Sequence, residues 1–259
     1  MTNTGANRHE NDRAFANLLF LHGFPFNPEL WNRQRAFFEA RGYRTAAPDL
    51  RLETAPATME AMAETAVREM DAAGMRRAVA VGFSMGGYVA LAMAERFPER
   101  LAGLVLVDTR AGADSEEGRA NRRKLAESVR AKGPQAAVDA LLGKLLSPAT
   151  AERKPDVVRE AERMMLAATP AAIAAASLGM AERPDRTGLL PRIRVPALVI
   201  VGEDDAITPP QEARAMASAI PGASLHIIPQ AGHLSMLENP DAFNGALFAW
   251  LDGAAGARP

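Results

Sequence analysis

Gly82-Phe83-Ser84-Met85-Gly86-Gly87 joins two unlike stretches of chain. Before it runs Ala78-Val79-Ala80-Val81, apolar and β-type, and after it runs Tyr88-Val89-Ala90-Leu91-Ala92-Met93-Ala94-Glu95, rich in helix formers. A strand that turns directly into a helix holds its central residue on a tight, strained bend above the helix N-terminus. Ser84 occupies that bend, so its hydroxyl is presented rather than packed away. Glycines two before and two after it leave room where a Cβ would crowd neighbouring backbone. The run marks Ser84 as a candidate nucleophile. Alone it is a weak signal, and the rest of the chain has to supply the partners.

A serine nucleophile needs a base, and the base needs an orienting acid. The chain has four histidines. His9 lies in a polar tail and reads as solvated. His226 falls in the short β run Leu225-His226-Ile227-Ile228, where a core or edge-strand imidazole is expected. His22 closes the apolar run Leu18-Leu19-Phe20-Leu21 ahead of Gly23. His233 follows the last strand, in Pro229-Gln230-Ala231-Gly232-His233. Loops beyond the carboxyl ends of strands are where open α/β sheets gather their chemistry, so His233 is the expected base. For the acid, the strand Ala197–Gly202 delivers Glu203, Asp204 and Asp205 in a row. Asp205 is preferred over Asp204, and Asp108, which ends the run Leu104–Val107, is a further candidate. Thr208, Pro209 and Gln211 read as an N-cap, a first-turn proline and a capping box.

Around these landmarks, strands are expected at 18–22, 43–47, 78–83, 103–108, 197–202 and 224–229. Helices are expected near 28–41, 57–73, 85–97, 209–219 and 240–252, the last opened by Asn239-Pro240. This alternation predicts an α/β fold with a mostly parallel central sheet and helices on both faces. Residues 110–187 contain no convincing strand and read as four helices, 115–131, 134–146, 155–168 and 170–182, separated by breaks at Lys132-Gly133-Pro134, Ser147-Pro148 and Thr169-Pro170. The expected division is a core of 1–109 and 188–259 with a helical insertion at 110–187. Met164 to Ala181 has nearly the length of a membrane span, but it is Ala-rich, interrupted by Pro170 and flanked by charge, which fits two short helices better.

Composition narrows the function classes. With 30 basic and 31 acidic residues the net charge is −1, which points to no nucleic-acid or membrane-surface partner. The absence of cysteine excludes disulfides, thiolate metal sites and a cysteine nucleophile. No metal or cofactor is expected. Residues 1–10 hold no apolar segment of the signal-peptide kind, so a cytoplasmic location is expected.

Taken together, Leu21-His22-Gly23-Phe24-Pro25, Ala47-Pro48-Asp49-Leu50-Arg51, Gly82–Gly87, Val201–Asp205 with Thr208-Pro209, and Ala231-Gly232-His233 resemble the α/β-hydrolase fold superfamily. The likeness is to its branch of esterases, cofactor-free haloperoxidases and 3-oxoadipate enol-lactonase-like enzymes. It implies a helical cap at 110–187 and a triad of Ser84, His233 and Asp205, the acid standing three residues after the strand-ending Gly202. It also implies an oxyanion hole from the backbone N–H groups of Phe24 and Met85, with His22 shaping the turn. The substrate implied is a small ester or lactone, carboxylic esters first, held in a pocket for which Phe26, Trp31 and Met165 are candidates. A perhydrolase side activity, or a ligand-binding module without turnover, are the alternatives. The chain departs from the family in two places. Asn3–Asn17 alternates poorly where relatives carry a β-hairpin, so those strands are expected to be missing, leaving a strand edge and a monomer or homodimer. Leu52–Thr58 replaces a Gly-rich turn ending in Ser, which suggests a wider site mouth.

Overall fold

The computed structural model describes residues 15–256. Among them, β1 (Asn17–Leu21), β2 (Arg44–Ala46), β3 (Ala78–Phe83), β4 (Leu101–Val107), β5 (Ala197–Gly202) and β6 (Ser224–Ile228) form one sheet. Its order is β2-β1-β3-β4-β5-β6, and every neighbouring pair is parallel. All residues of β1, β3, β4 and β5 are buried, as expected of strands covered on both faces.

The period-2 alternation of those strands sorts the core into two layers. Leu19, Leu21, Ala80, Leu104, Leu106, Val199 and Val201 face α2 (Met59–Ala72), α3 (Met85–Arg96) and α9 (Pro210–Ala219). Leu18, Phe20, Val79, Val81, Val105, Val107 and Ile200 face α1 (Asn32–Glu39) and α11 (Pro240–Gly256) on the other side. There Trp31, just ahead of α1, packs its ring between Phe20 and Phe243, with centroid distances of 5.0 and 6.0 Å.

Between β4 and β5 the chain leaves the sheet for α4 (Glu116–Lys132), α5 (Gln135–Leu145), α6 (Pro148–Arg153), α7 (Pro155–Leu166) and α8 (Pro170–Ala181). The short α6 was not expected. Its start, Ser147-Pro148, reads equally as a turn and as an N-cap followed by Pro, and Ser147 Oγ does accept the Thr150 amide at 3.1 Å. Helices α7 and α8 meet at 94°, and among the described residues no single helix is long and apolar enough to cross a membrane. Small residues let α8 lie close: a Cβ on Gly179 would stand 1.8 Å from the Ala57 carbonyl oxygen.

The insertion is anchored where it returns to the sheet. Buried Arg183 pairs with Asp114 at 2.9 Å, donates to Gly112 O, and lies 4.0 Å above the Tyr88 ring of α3. Arg186 joins Glu95 of α3 and Glu60 of α2. Among the described residues β2 is the outer strand beyond β1. His9 and nearly all of the Asn3–Asn17 segment lie outside the described residues.

Candidate active site

Parallel register places the site at the carboxyl end of the sheet. Leu21 stands opposite Gly82, Phe83 opposite Val107, and Val107 opposite Ile200. The loops carrying Phe24, Ser84, Asp108 and Asp205 therefore emerge side by side, and that of His233 follows β6.

Ser84 has φ 50° and ψ −112°, a strained conformation for a non-glycine residue. The bend is enforced by close packing. A Cβ on Gly82 would be 2.3 Å from Gly86 O, and one on Gly86 would be 2.1 Å from Leu21 O. Only glycines allow α3 to start so near β1 and β3. Ser84 Oγ lies 3.0 Å from His233 Nε2, and His233 Nδ1 lies 2.8 Å from Asp205 Oδ2. A carboxylate only accepts, so Nδ1 carries the proton and Nε2 presents a lone pair to the serine hydroxyl.

Asp205 is fully engaged. Its Oδ1 accepts the amides of Ile207 (2.8 Å) and Thr208 (2.9 Å), and its Oδ2 also accepts the Thr208 hydroxyl at 2.6 Å. Burial raises the Asp205 carboxyl, but the His233 charge and the bonds from His233 and Thr208 outweigh it, leaving the pKa below the ordinary range. Thr208 thus serves the carboxylate rather than the helix. Contrary to the expected capping box, α9 begins one residue later, at Pro210, with Pro209 in the cap position. Two consecutive prolines bring no N–H of their own to that first turn, and the Thr208 hydroxyl donates to Asp205.

The other acid candidates separate clearly. Asp204 is exposed. Asp108 is wholly buried behind the site, its Oδ1 accepting the Gly202 amide at 2.7 Å and its Oδ2 the Ser235 hydroxyl. Burial pushes the Asp108 carboxyl well above the usual range, the Asp205 and Glu238 charges push the same way, and the bonds from Ser235 and Gly202 offset only part of it. Of the remaining histidines, His226 is exposed on the edge strand β6. His22 is buried, with Nε2 accepting the Leu50 amide at 2.9 Å and Nδ1 3.0 Å from Gly23 O, which ties the Phe24 loop to the Leu50 loop.

Phe24 and Phe26 line a cavity with Met85, His22 and the α8 residues Ala172, Ile173 and Ala176. Its volume is about 10 Å³, room for a single water. Two pocket candidates lie elsewhere. Trp31 belongs to the α1–α11 aromatic layer, and Met165 is wholly buried in the same hydrophobic cluster; neither lines this cavity. Both are large apolar side chains, and the sheet and cap cores claimed them. The loop Leu52–Thr58, for which a wider mouth was expected, is bonded to the inserted helices. Arg51 Nη1 donates to Ala167 O (3.3 Å), Thr169 to Glu53 (2.8 Å) and Ala57 N to Ala175 O (3.0 Å), so the shorter loop is drawn against the cap.

A second, larger cavity of about 680 Å³ opens between α4 and α5. Its lining includes Arg110, Arg122, Lys124 and Lys144 against the single carboxylate of Asp114. Its apolar wall, Leu125 and Ala136, packs in the same cluster as Phe24. Arg110 reaches it from the loop after β4 and donates to Ile207 O, beside Asp205.

Sequence reasoning missed Glu238. It is wholly buried and accepts the amides of Gly232 (2.9 Å), Leu234 (3.2 Å) and Ser147 (2.8 Å). Its one signal was a carboxylate in the otherwise apolar run Leu234-Ser235-Met236-Leu237 just before the helix start Asn239-Pro240.

A family model described as alpha/beta hydrolase fold matches residues 16–240. A thermophilic esterase from Thermogutta terrifontis is 42% identical, with a TM-score of 0.89 over 92% of this chain and 90% of that one. The enol-lactonase from Burkholderia xenovorans LB400 is 28% identical, with a TM-score of 0.83 over 91% of each chain. The 3-oxoadipate enol-lactonase 2 of Acinetobacter baylyi is 26% identical over 238 residues, 90% of this chain and 87% of the relative. The parallel sheet, the inserted helices, the strained serine turn and these likenesses agree: the chain belongs to the alpha/beta hydrolase fold family and is an esterase-like hydrolase.

Proposed function

We propose that this protein cleaves carboxylic esters of small to medium size by a Ser84–His233–Asp205 triad through an acyl-enzyme. The observation that carries the reading is the unbroken chain Ser84 Oγ–His233 Nε2 (3.0 Å) and His233 Nδ1–Asp205 Oδ2 (2.8 Å), within the reach of nucleophile, base and orienting acid. Ser84 Oγ attacks the ester carbonyl as His233 Nε2 takes its proton. The tetrahedral oxyanion is held by the backbone N–H groups of Phe24 and Met85; Met85 N opens α3, where the helix supplies no acceptor of its own. Each such donor contributes about 3 kcal/mol to the transition state. His233 then protonates the leaving alkoxide, and water cleaves the acyl-enzyme by the same route.

Hydrolysis of p-nitrophenyl acetate, butyrate and octanoate by wild type and Ser84→Ala tests this. Wild type should turn over at least one of these esters, and Ser84→Ala should lose about 10⁴-fold or more. A folded wild type that leaves all three esters untouched would sink the reading.

A second reading, lactone hydrolysis, draws on the cationic cavity between α4 and α5 and on the enol-lactonase relatives. The Thermogutta terrifontis esterase was studied with malate bound, a dicarboxylate. A substrate with an anionic group distal to its reacting carbonyl fits Arg110, Lys124 and Lys144. Higher kcat/KM on a carboxylated lactone than on the neutral esters would put this reading first.

A further inference from the structure

Glu238 closes α10 (Ser235–Glu238), and its carboxylate bonds backbone amides on both sides of the base. Its Oε1 accepts the amides of Gly232 and Leu234, the residues flanking His233. Its Oε2 accepts the amide of Ser147, the residue that caps α6 in the inserted helices. Further links run between the same two segments. Leu234 N donates to Leu145 O at 3.1 Å, and Lys154 Nζ donates to the Glu238 carbonyl at 2.6 Å. Gly232 lies so close that a Cβ on it would stand 2.6 Å from Ser147 N.

We propose that Glu238 is a positioning residue for His233: one buried carboxylate clamps the base loop and registers it against the cap. The inference rests on the reading of His233 as the base. Three N–H donors converge on two buried oxygens; displacing the carboxylate takes the acceptor from the buried Gly232 and Ser147 amides, while Leu234 N keeps Leu145 O. Seating of the cap at Ser147 and placement of the imidazole are therefore a single arrangement. An imidazole that drifts by a fraction of an ångström loses its alignment with Ser84 Oγ, and misplacements of that size cost large factors in rate.

Glu238→Gln tests this at constant shape. A carboxamide has one acceptor oxygen, so its NH2 must face an N–H donor either on the base-loop side or on the Ser147 side. Glu238 is wholly buried and acts on the base loop, so kcat on p-nitrophenyl butyrate should fall about tenfold or more while KM stays within about twofold. Folded Glu238→Gln with wild-type kcat, or with KM raised as much as kcat is lowered, would overturn the proposal. Amide hydrogen exchange in the wild type needs no variant and decides the matter if Glu238→Gln does not fold. The Ser147, Gly232 and Leu234 amides should exchange through one shared opening, and Ser147 exchanging on its own would refute the clamp. A wild type inert on every ester would instead remove the ester-cleaving reading, while the exchange data would still decide whether the clamp exists.

Discussion

Ser84 shows what one residue can be made to hold. Its φ of 50° is a conformation that side chains resist, at a cost of order 1–3 kcal/mol. Ser84→Gly removes the Cβ that causes the resistance and the hydroxyl proposed to do the chemistry. It should melt a few degrees above Ser84→Ala, about 2–4 °C per kcal/mol for a chain of this size, and both should be inactive. Equal melting temperatures would mean that the bend is not strained. Asp108 is strained as well, at φ 44°, and is the buried carboxyl whose pKa burial raises. Between the ordinary carboxylate value and the raised folded value, the unfolded chain has released a proton that the folded chain still binds. Stability from this group therefore falls as pH rises through that window. Asp108→Asn keeps an oxygen for Gly202 N and offers an N–H to Ser235 Oγ. Thermal melts from pH 4.5 to 8 should show wild type losing stability relative to Asp108→Asn, and parallel curves would contradict the assignment.

Element boundaries follow local chemistry, and the helix start near Thr208 departs from the expected one. Helix α3 starts where the glycines permit, and Ser115, Ser147 and Thr169 cap α4, α6 and α8 through hydroxyls accepting third-residue amides, as their side chains favour. Thr208 carries the same hydroxyl, but Pro209 and Pro210 follow it, the helix starts at Pro210, and the hydroxyl donates to the buried Asp205 carboxylate. Asp205 and Thr208 are near neighbours in sequence, and the fold brings both to His233, whose Nδ1 lies 2.8 Å from Asp205 Oδ2 and 3.2 Å from Thr208 Oγ1. The alternation of strands and helices was legible because period-2 and 3.6-residue patterns are written locally. The extra helix α6 was not, since Ser-Pro carries the signal of a break and of a helix start at once.

At the scale of the whole molecule, the inserted helices are joined to the core by charge buried at their root. Burial raises the Asp114 carboxyl, but the Arg183 hydrogen bond and the Arg122 charge bring it down to about 2. A depressed carboxylate contributes stability that is complete above its ordinary value and is lost as pH falls from about 4 towards 2. Arg183→Met should lower stability at pH 7 by about 3 kcal/mol, because it leaves a partly buried Asp114 with Arg122 alone. It should also lose less than wild type on further acidification from pH 5 to 3, measured by urea unfolding. An identical acid dependence would show that the pair is not what fastens the root.

The sequence by itself determined the α/β alternation, the serine turn, and the choice of His233 and Asp205 as the groups that stand beside Ser84. Each is encoded within a few residues, in a strand's apolar run, a glycine that permits close approach, or a loop just past a strand end. Only tertiary structure decided that Asp108 is buried behind the site on Gly202 N and Ser235, which aromatic residues the core would take, and that Glu238 joins segments 91 residues apart. Those outcomes depend on which groups packing brings together and shuts off from water. A carboxylate acquires its partner and its charge state only when the fold has set the distance and the burial.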